Sequence, residues 1–558
     1  MLFLVAASLF SQTSFAQLRL ADQPVFTSVS IPGNLALTLS VEFPTAVSVA
    51  HPTRTYSSTN NYLGYFDPAK CYKYRYVSDS ADDNYFYPTR LATNRKCSGE
   101  WSGNFLNWAS MQTIDPFRWA LTGGYRWIDT PELTVLEKAW SGGQGSASSN
   151  FPNSTTTGSE IAGATPFTGA ASFGTSILGW GNKMRFMAVA SGSPSYSGTA
   201  THFSGTASLA KLYEVYVRVK VCDSSVGLEA DKCVAYSNGN YKPEGLMQKY
   251  ANKIRYSTFG YLASDDGGDT NLKRDGGVLR AAQRFIGPTQ PVPGSSDIPN
   301  PLTPEWDSST GVMTRNPNAA DATASSTTTV PIVDSGVMNY LNKFGEINRT
   351  VYKRYDPVSE LYYAALRYFR NLGNVPAWSS MDGVTDAVRK TMMDGFPVIT
   401  QWKDPIQYSC QRNFILGIGD VNTHADRNLP GATTGSKEPA MPPEVFADTV
   451  NAVDWTNKVG TLQGLTNLGT TLIPSNDAGY LMAGLAYYAN TTDIRPDLEG
   501  KQTIKTYWLD VLEGGYKTNR QFYLAAKYGG FNPPTSFSVD TATATQFADN
   551  KGWWSTTG

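Results

Sequence analysis

Charge is scarce in this chain, and neither sign dominates. Charged residues make up 17% of the 558 residues, and 46 Lys and Arg against 47 Asp and Glu leave a net charge of −1. Proteins that bind nucleic acids need clustered positive charge to neutralise phosphates, so this composition argues against a nucleic-acid partner. The sequence also contains no block of like charge that would form a basic arm or an acidic tail.

Common catalytic motifs are missing as well. The sequence contains no Gly-x-Ser-x-Gly, His-Glu-x-x-His or Walker motif, and its three histidines, His51, His202 and His424, are isolated from one another. His424 lies near Asp420 and Asp426, but no Ser or Cys nucleophile stands beside it, so a polar loop histidine is the simpler interpretation. A glycosidase needs only two carboxylates, so a secreted hydrolase stays open as an alternative.

Long hydrophobic runs are absent after the first residues. No later stretch approaches the roughly 20 apolar residues that a membrane-spanning helix needs. Residues 1–16, MLFLVAASLFSQTSFA, combine an apolar run, a polar stretch and a final Ser-Phe-Ala, and they predict a secretory signal peptide cleaved after Ala16. We therefore expect an exported protein without a transmembrane segment, either soluble or held peripherally.

Cysteine is sparse, with five residues in the whole chain. Cys71 and Cys97 flank an aromatic loop, and Cys222 and Cys233 enclose the segment DSSVGLEADK. Each pair closes a short loop, so we predict the disulfides Cys71–Cys97 and Cys222–Cys233. Cys410 is left over, as a buried thiol or as a bond to a partner. A zinc site competes with this interpretation, but the sequence has no Cys-x-x-Cys.

The order of the predicted elements favours an α/β fold. Hydrophobic residues make up 41% and aromatic residues 12% of the chain, which is enough for a sizeable core. Residues 34–41, NLALTLSV, alternate in polarity as a half-buried strand does. Strands that alternate with helices indicate a mostly parallel sheet. The other predicted strands are 184–189, 213–221, 254–262, 413–418 and 504–512, and the predicted helices are 102–121, 358–371, 477–490 and 518–528.

Residues 97–124, CSGEWSGNFLNWASMQTIDPFRWALTGG, are the most distinctive stretch. Trp101, Phe105 and Trp108 recur at helical spacing, Trp119 follows in the same predicted helix, and a Gly-Gly pair ends the pattern. The spacing favours an amphipathic helix whose aromatic stripe is core. A binding surface made of the same rings is the alternative.

This stretch resembles the amino-terminal half of the type IV pilus-associated PilC/PilY family, which acts at the pilus tip and in pilus biogenesis. The resemblance runs from about residue 31 to residue 531, and its segments occur in the family's order. The other segments are YLGYFDPAKCYKY (62–74), STFGYLASDDGGDTNLKRDGGVLRAA (257–282), SELYYAALRYFRN (359–371) and QFYLAAKYGGF (521–531).

The resemblance implies a von Willebrand A-like domain, a doubly wound α/β sheet, here degenerate and with large irregular insertions. Such a domain usually holds a divalent cation through Asp-x-Ser-x-Ser after its first strand, with a Thr and an Asp from later loops. In this sequence Ser40 stands at the first Asp position, Asp356 at the Thr position and Asp420 at the last position. These groups make a poor cage for Mg²⁺ or Ca²⁺, so we expect a vestige.

Composition and resemblance together divide the chain into segments. Residues 141–207 and 287–335 are rich in Ser, Thr, Gly, Pro and Asn, and we predict that both are long surface insertions. We expect the family's carboxy-terminal propeller to be missing. The segments are a signal peptide (1–16), the first strand with the disulfide-bearing aromatic segment (17–140), an insertion (141–207), sheet strands with the LKRDGGVLR turn (208–286), a second insertion (287–335), the rest of the von Willebrand A-like domain (336–531) and a tail (532–558).

The resemblance implies a function in binding rather than turnover. It implies pilus assembly or tip capping and surface adhesion, with minor pilins of the pilus tip complex and a host or abiotic surface as partners. The implied location is the cell surface or its exterior, at the pilus tip and associated with the outer membrane. Two alternatives stay open: a secreted carbohydrate-active hydrolase, whose Trp and Tyr rings would stack on sugars, and a subunit of an extracellular filament or surface layer.

Overall fold

The structure, a computed structural model, describes residues 31–547 except 54, 78–81, 145–152, 230, 264–272, 348, 350–351, 474–475 and 512–518. The predicted signal peptide and residues 548–558 of the predicted tail lie outside the described residues. The strands are β1 (Gly33–Leu39), β2 (Lys70–Arg75), β3 (Tyr85–Leu91), β4 (Trp101–Ser102), β5 (Arg126–Asp129), β6 (Thr134–Glu137), β7 (Ser154–Thr157), β8 (Ser172–Ser176), β9 (Lys183–Val189), β10 (Thr201–His202), β11 (Tyr213–Tyr216), β12 (Arg218–Val221), β13 (Cys233–Ala235), β14 (Tyr241–Pro243), β15 (Ile254–Gly260), β16 (Val278–Arg284), β17 (Thr289–Gln290), β18 (Ile298–Pro299), β19 (Asn413–Gly419) and β20 (Ile504–Asp510).

Helices connect and cover these strands. They are α1 (Phe43–Val47), α2 (Gly103–Ser110), α3 (Ile114–Thr122), α4 (Ser159–Ala164), α5 (Leu246–Lys249), α6 (Ala319–Ser325), α7 (Val337–Lys343), α8 (Val358–Phe369), α9 (Pro376–Ser379), α10 (Asp386–Met393), α11 (Pro443–Phe446), α12 (Ala452–Gln463), α13 (Leu481–Thr491) and α14 (Gln521–Gly530). The predicted helices at 358–371, 477–490 and 518–528 correspond to α8, α13 and α14.

A mixed five-stranded sheet, which we call the central sheet, has the strand order β16-β15-β1-β19-β20. The strands β15, β1, β19 and β20 are parallel, and β16 runs antiparallel to β15. Four of these strands were predicted, at 34–41, 254–262, 413–418 and 504–512. The predicted α/β class is therefore confirmed.

Helices cover both faces of the central sheet. Phe259 contacts Tyr368 of α8, with ring centroids 5.6 Å apart. The next residue, Gly260, lies against Tyr340 of α7, and a Cβ at Gly260 would stand only 2.0 Å from the Tyr340 hydroxyl. Because successive residues of a strand point to opposite faces, α8 and α7 lie on opposite sides of the sheet. Residues 36–39 of β1 are all fully buried, so β1 is covered on both faces and is not half-buried as its alternating sequence predicted.

Two further sheets form a second unit. One has the order β4-β2-β3-β12-β6-β5 and the other β10-β11-β9-β8-β7. The single strand predicted at 213–221 is divided at Val217: β11 pairs with β9 and β12 pairs with β6. The chain thus passes directly from one sheet into the other, which keeps the two sheets close enough to share a core.

The described part of residues 141–207 belongs to that core, and this corrects the prediction of a surface insertion. It contains β7 to β10 and α4, and Phe167, Phe173, Phe186 and Phe203 are each at most 1% exposed. These four rings surround Trp101 at centroid distances between 5.1 and 6.4 Å. The prediction was wrong because these strands contain a few large buried rings among many small residues. The composition of residues 141–207 therefore resembles that of a loop.

The predicted aromatic helix at 102–121 is two helices, α2 and α3. The interruption lies at Met111–Thr113. Pro116, in the first turn of α3, has no N–H, so it cannot donate the backbone hydrogen bond that would continue one helix through this segment. Trp101, Phe105 and Trp108 are 1%, 0% and 3% exposed, and Trp119 is half-buried. The aromatic stripe is therefore core.

Asn104 and Asn107 of α2, each followed by an aromatic residue, bind the backbone of a neighbouring segment. The Asn107 side chain accepts from the Phe66 N–H at 3.0 Å and donates to the Tyr62 and Phe66 carbonyls at 2.9 and 2.8 Å. Asn104 accepts from the Tyr62 N–H at 3.0 Å. These buried amides hold the YLGYF segment, residues 62–66, against the helix and satisfy its backbone groups.

Both predicted disulfides are present, with Cα–Cα distances of 5.6 Å for Cys71–Cys97 and 5.5 Å for Cys222–Cys233. Cys410 is exposed, which excludes the buried thiol. Among the described residues, only Cys222, Glu229 and Cys233 bring three His, Cys, Asp or Glu ligand atoms within 4.8 Å of each other. Because the two sulfurs are bonded to each other, this group is a disulfide beside a carboxylate and not a zinc site.

Residues 287–335 contain little regular structure, but they are not wholly superficial. Glu305 is fully buried, and its carboxylate accepts from the Val337 and Met338 N–H groups at 2.8 and 2.7 Å. It thus caps the amino terminus of α7.

In the predicted tail, Phe547 is 2% exposed and packs against Tyr528, with ring centroids 4.9 Å apart.

No helix in the described ranges has both the length and the apolar character that crossing a membrane demands.

Candidate functional site

The candidate site is the crevice at the carboxyl edge of the central sheet. From β1 the chain adds β15 and β16 on one side and later adds β19 and β20 on the other, so the strand order reverses beside β1. In open α/β sheets, ligands bind at such a reversal, outside the carboxyl ends of the strands. Ser40 directly follows β1 and Asp420 directly follows β19, which places both residues at this point.

The three residues assigned to a degenerate cation site are all buried here. Ser40, Asp356 and Asp420 are 0%, 3% and 1% exposed. The Ser40 hydroxyl lies 3.5 Å from the Tyr261 hydroxyl. Asp420 accepts from the Asn422 N–H at 3.0 Å, which fixes the turn after β19.

Asp356 pairs with a histidine. Its Oδ1 atom lies 2.8 Å from Nδ1 of His424, and the His424 ring packs on Tyr355 with centroids 5.8 Å apart. The sequence interpretation of His424 as a solitary loop residue missed this partner, because the two residues are 68 positions apart. The imidazole thus provides a hydrogen-bond partner for the buried Asp356 carboxylate.

A lysine side chain enters the same crevice. Lys353 is fully buried, and its Nζ atom lies 3.2 Å from Oδ1 of Asp275, which is 2% exposed. The same Nζ atom stands 5.8 Å from the centroid of the Tyr261 ring. The backbone carbonyl of Lys353 accepts from the Phe43 N–H at 3.3 Å, which ties this segment to the residues after β1.

Tyr261 is buried in the crevice, and its pKa reports on the burial and the negative charge around it. Burial, followed by the nearby Asp356 carboxylate, raises the pKa of Tyr261 well above its ordinary value. A cavity of about 20 Å³ adjoins the ring, with Val41, Arg280 and Asp394 in its lining. This volume holds about one water molecule and is far below the several hundred Å³ of an ordinary small-molecule site.

Asp356, Asp420 and Lys353 each have a polar partner within the protein. Ca²⁺ takes six to eight oxygen ligands, and Mg²⁺ takes six, several of them usually water. Here Asp356 faces an imidazole, Asp420 holds its own turn, and the Lys353 ammonium already brings positive charge to the crevice. These polar pairs hold the loops around the crevice in one arrangement.

A second cluster of carboxylates anchors the loop after β19 to α8. Asp426 accepts from the Ser359 N–H at 2.6 Å, from the Ser359 hydroxyl at 2.9 Å and from the Thr423 hydroxyl at 2.7 Å. The Asn428 N–H donates to both Glu360, at 2.6 Å, and Glu438, at 2.9 Å.

The pKa values of this cluster are raised. Burial, with Asp426 and Glu438 as negative neighbours, raises the pKa of Glu360 well above its ordinary range. A side-chain hydrogen bond between Glu360 and Asp426 acts in the same direction on the pKa of Glu360 and lowers that of Asp426. No sequence pattern predicts this cluster, because acidic residues on an apolar helix are ordinarily solvated.

The fold defines an α/β protein in which two polar pairs, Lys353–Asp275 and His424–Asp356, lie at the carboxyl-edge crevice of the central sheet. Two family models match the chain: one described as PilY1 homolog, small alpha/beta domain, over residues 53–197, and one described as PilY1 homolog, second domain, over residues 271–473. The chain belongs to the family of PilY1 homologs.

Two curated relatives come from Xylella fastidiosa (strain Temecula1 / ATCC 700964), and each carries the name type IV pilus biogenesis factor PilY1 homolog. One is 44% identical over 560 residues, which cover 94% of this chain and 44% of that protein. The other is 24% identical over 432 residues, covering 68% of this chain and 27% of that protein. The chain thus spans less than half the length of these relatives. No solved structure matches the chain.

Proposed function

We propose that this chain acts in type IV pilus biogenesis by binding, in pilus assembly and tip capping and in surface adhesion, and without catalytic turnover. The observation that carries the proposal is the 44% identity, over 94% of the chain, to a protein named as a type IV pilus biogenesis factor. The contacts of the crevice support it, because buried polar pairs suit a rigid scaffold that presents surfaces to partners.

The central sheet is, in this proposal, a degenerate von Willebrand A-like domain. Support comes from its order β16-β15-β1-β19-β20, with parallel strands around β1 and one antiparallel edge strand, and from helices on both faces. Ser40, Asp356 and Asp420 then occupy positions of an ancestral cation site that no longer functions. In place of the cation, the Lys353–Asp275 pair and the His424–Asp356 pair stabilise the crevice.

The proposed partners are minor pilins of the pilus tip complex and a host or abiotic surface. The proposed location is extracellular or at the cell surface, at the pilus tip and associated with the outer membrane, after export through the amino-terminal signal peptide. The two disulfides support export, because such bonds persist in oxidising compartments.

The test compares a strain in which the gene encoding this chain is deleted with the same strain complemented by the intact gene. Surface pili are counted by electron microscopy, and the purified protein is incubated with a panel of polysaccharides and peptides. We expect piliation to be lost on deletion, restored on complementation, and no substrate to be turned over. Normal piliation of the deletion strain together with specific turnover would favour the hydrolase and overturn the proposal.

A further inference from the structure

A groove of about 870 Å³ lies in the second unit, away from the crevice of the central sheet. Arg90, Arg95 and Lys96 supply positive charge to its lining, and Ser58 and Thr59 also line the groove. The volume lies within the range of about 300 to 1,000 Å³ that is usual for ligand sites.

Arg95 occupies a strained position at this groove. Thr93 and Lys96 exchange both backbone hydrogen bonds, at 3.2 and 3.0 Å, so residues 94 and 95 form a two-residue hairpin turn. Asn94 and Arg95 have φ values of +51° and +61°. A turn with two positive φ angles favours Asn followed by Gly, and an arginine at the second place costs conformational energy. Strain of this kind is retained where the side chain has a function.

Two backbone carbonyls hold the Arg95 side chain in a fixed orientation. Its Nε atom donates to the Ser58 carbonyl at 2.9 Å and its Nη2 atom to the Thr59 carbonyl at 2.7 Å. In the part of the chain that the structure describes, Arg95 forms no ion pair with a carboxylate, whereas Arg90 pairs with Glu100 at 2.7 Å and Lys96 with Glu160 at 3.8 Å.

We propose that this groove binds an acidic peptide segment of a partner protein, with one of its carboxylates on Arg95. A guanidinium is the group that best matches a carboxylate, and two backbone carbonyls already orient it, so little entropy is lost on binding. Arg90 and Lys96, which are 45% and 47% exposed, lie beside it, and further acidic residues of the peptide would compete there with Glu100 and Glu160. The described lining residues include no aromatic ring on which a sugar would stack, so a peptide is favoured over an acidic polysaccharide. This inference does not depend on the role in pilus biogenesis.

The experiment measures binding of a fluorescein-labelled peptide of alternating Glu and Ser to the full chain by fluorescence anisotropy. The matched ligand control is the same peptide with Gln in place of Glu. We expect the Glu peptide to bind and the Gln peptide not to bind, and we expect the affinity to fall as salt is added.

Three variants locate the site. Arg95→Gly removes the guanidinium while placing the favoured residue at the turn, and we expect it to weaken binding about tenfold, a loss of about 1.4 kcal/mol, with the fold retained. Glu160→Gln removes the carboxylate that competes for Lys96, and we expect tighter binding, which a folding defect cannot produce. Arg75→Ala is the control, since Arg75 is 49% exposed on β2 and does not line the groove.

The proposal is overturned if Arg95→Gly, folded by circular dichroism, binds the Glu peptide as tightly as the unchanged chain. It is also overturned if Arg75→Ala weakens binding to the same extent, or if labelled oligogalacturonate binds and the Glu peptide does not.

Discussion

Lys353 and Asp275 form a buried ion pair beside the strand-order reversal of the central sheet. Their side chains are 0% and 2% exposed, and their charged atoms lie 3.2 Å apart. A buried pair repays its desolvation only while both partners are present, and the loss of one leaves an uncompensated buried charge. The pair is therefore a sensitive probe of how the crevice is held together.

Replacing Lys353 with Met should lower the free energy of unfolding by roughly 3–5 kcal/mol, because the Asp275 carboxylate loses its counter-charge. Urea denaturation measures the change. The double variant Lys353→Met with Asp275→Asn should recover at least about 1 kcal/mol of the loss, since contacting partners couple by about 0.5–3 kcal/mol.

The exposed Lys253 is the matched control, and Lys253→Met should change stability by less than about 0.5 kcal/mol. With the unchanged chain, we expect millimolar Mg²⁺ or Ca²⁺ to leave the Tm unchanged, because the Lys353 ammonium lies in the crevice and would oppose a cation. Equal stability of the Lys353 single and double variants would show that the ion pair does not organise the crevice.

At the scale of an element, the aromatic side chains of Trp101 and α2 form part of the core of the second unit. Trp101 contacts Phe105 of α2 as well as Phe86, Phe173 and Phe186, with ring centroids between 5.1 and 6.3 Å away. Strands from both sheets of this unit thus meet on one indole. The same rings cannot serve as an adhesive surface while they are packed in this way.

Trp101→Ala should lower the free energy of unfolding by roughly 3–5 kcal/mol, the usual cost of deleting a large buried aromatic side chain. Trp101→Phe should cost much less, because the ring contacts stay and the indole Nε1, which has no hydrogen-bond partner among the described residues, is removed. Thermal and urea unfolding give both values. A folded Trp101→Ala protein of unchanged stability that fails to adhere would instead assign the rings to a binding surface.

For the whole molecule, buried carboxyl groups should set the pH dependence of stability. Burial is the largest cause that raises the pKa of Asp115 to about 6 and the pKa values of Glu137 and Glu438 to about 7. For an acid whose pKa is raised by folding, the native state binds more protons than the unfolded state. The stabilisation is therefore complete below the unfolded pKa of about 4 and is lost as the pH rises through the folded value.

We expect the free energy of unfolding to fall by at least about 2 kcal/mol between pH 5 and pH 8, since one pKa unit corresponds to about 1.4 kcal/mol. His51 opposes this trend, because burial lowers its pKa and its contribution grows as the pH rises through 6.5. Urea denaturation across the pH range measures the slope. Glu438→Gln should flatten it, and Glu499→Gln, at an exposed position, should not. A stability that rises steadily from pH 5 to pH 8 would contradict the assignment.

Local sequence patterns were sufficient to predict the features that depend on residues close together in the chain. Apolar runs and alternation predicted the parallel strands β1, β15, β19 and β20, because burial on one or two faces imposes a repeat that is visible in the chain. Loop length alone predicted the disulfides Cys71–Cys97 and Cys222–Cys233, since short loops close at the lowest entropic cost. The family resemblance was also carried by contiguous segments.

Only the tertiary structure decided which distant residues meet. Composition assigned residues 141–207 to the surface, and the structure places their phenylalanines around Trp101 because two sheets pack face to face there. The pairing of Lys353 with Asp275, 78 positions apart, follows from no local pattern. The same holds for Arg95 and the Ser58 carbonyl that orients its guanidinium. Burial free energy depends on the whole packed surface, and the chain must close long loops before such pairs form, so their partners cannot be read from sequence spacing.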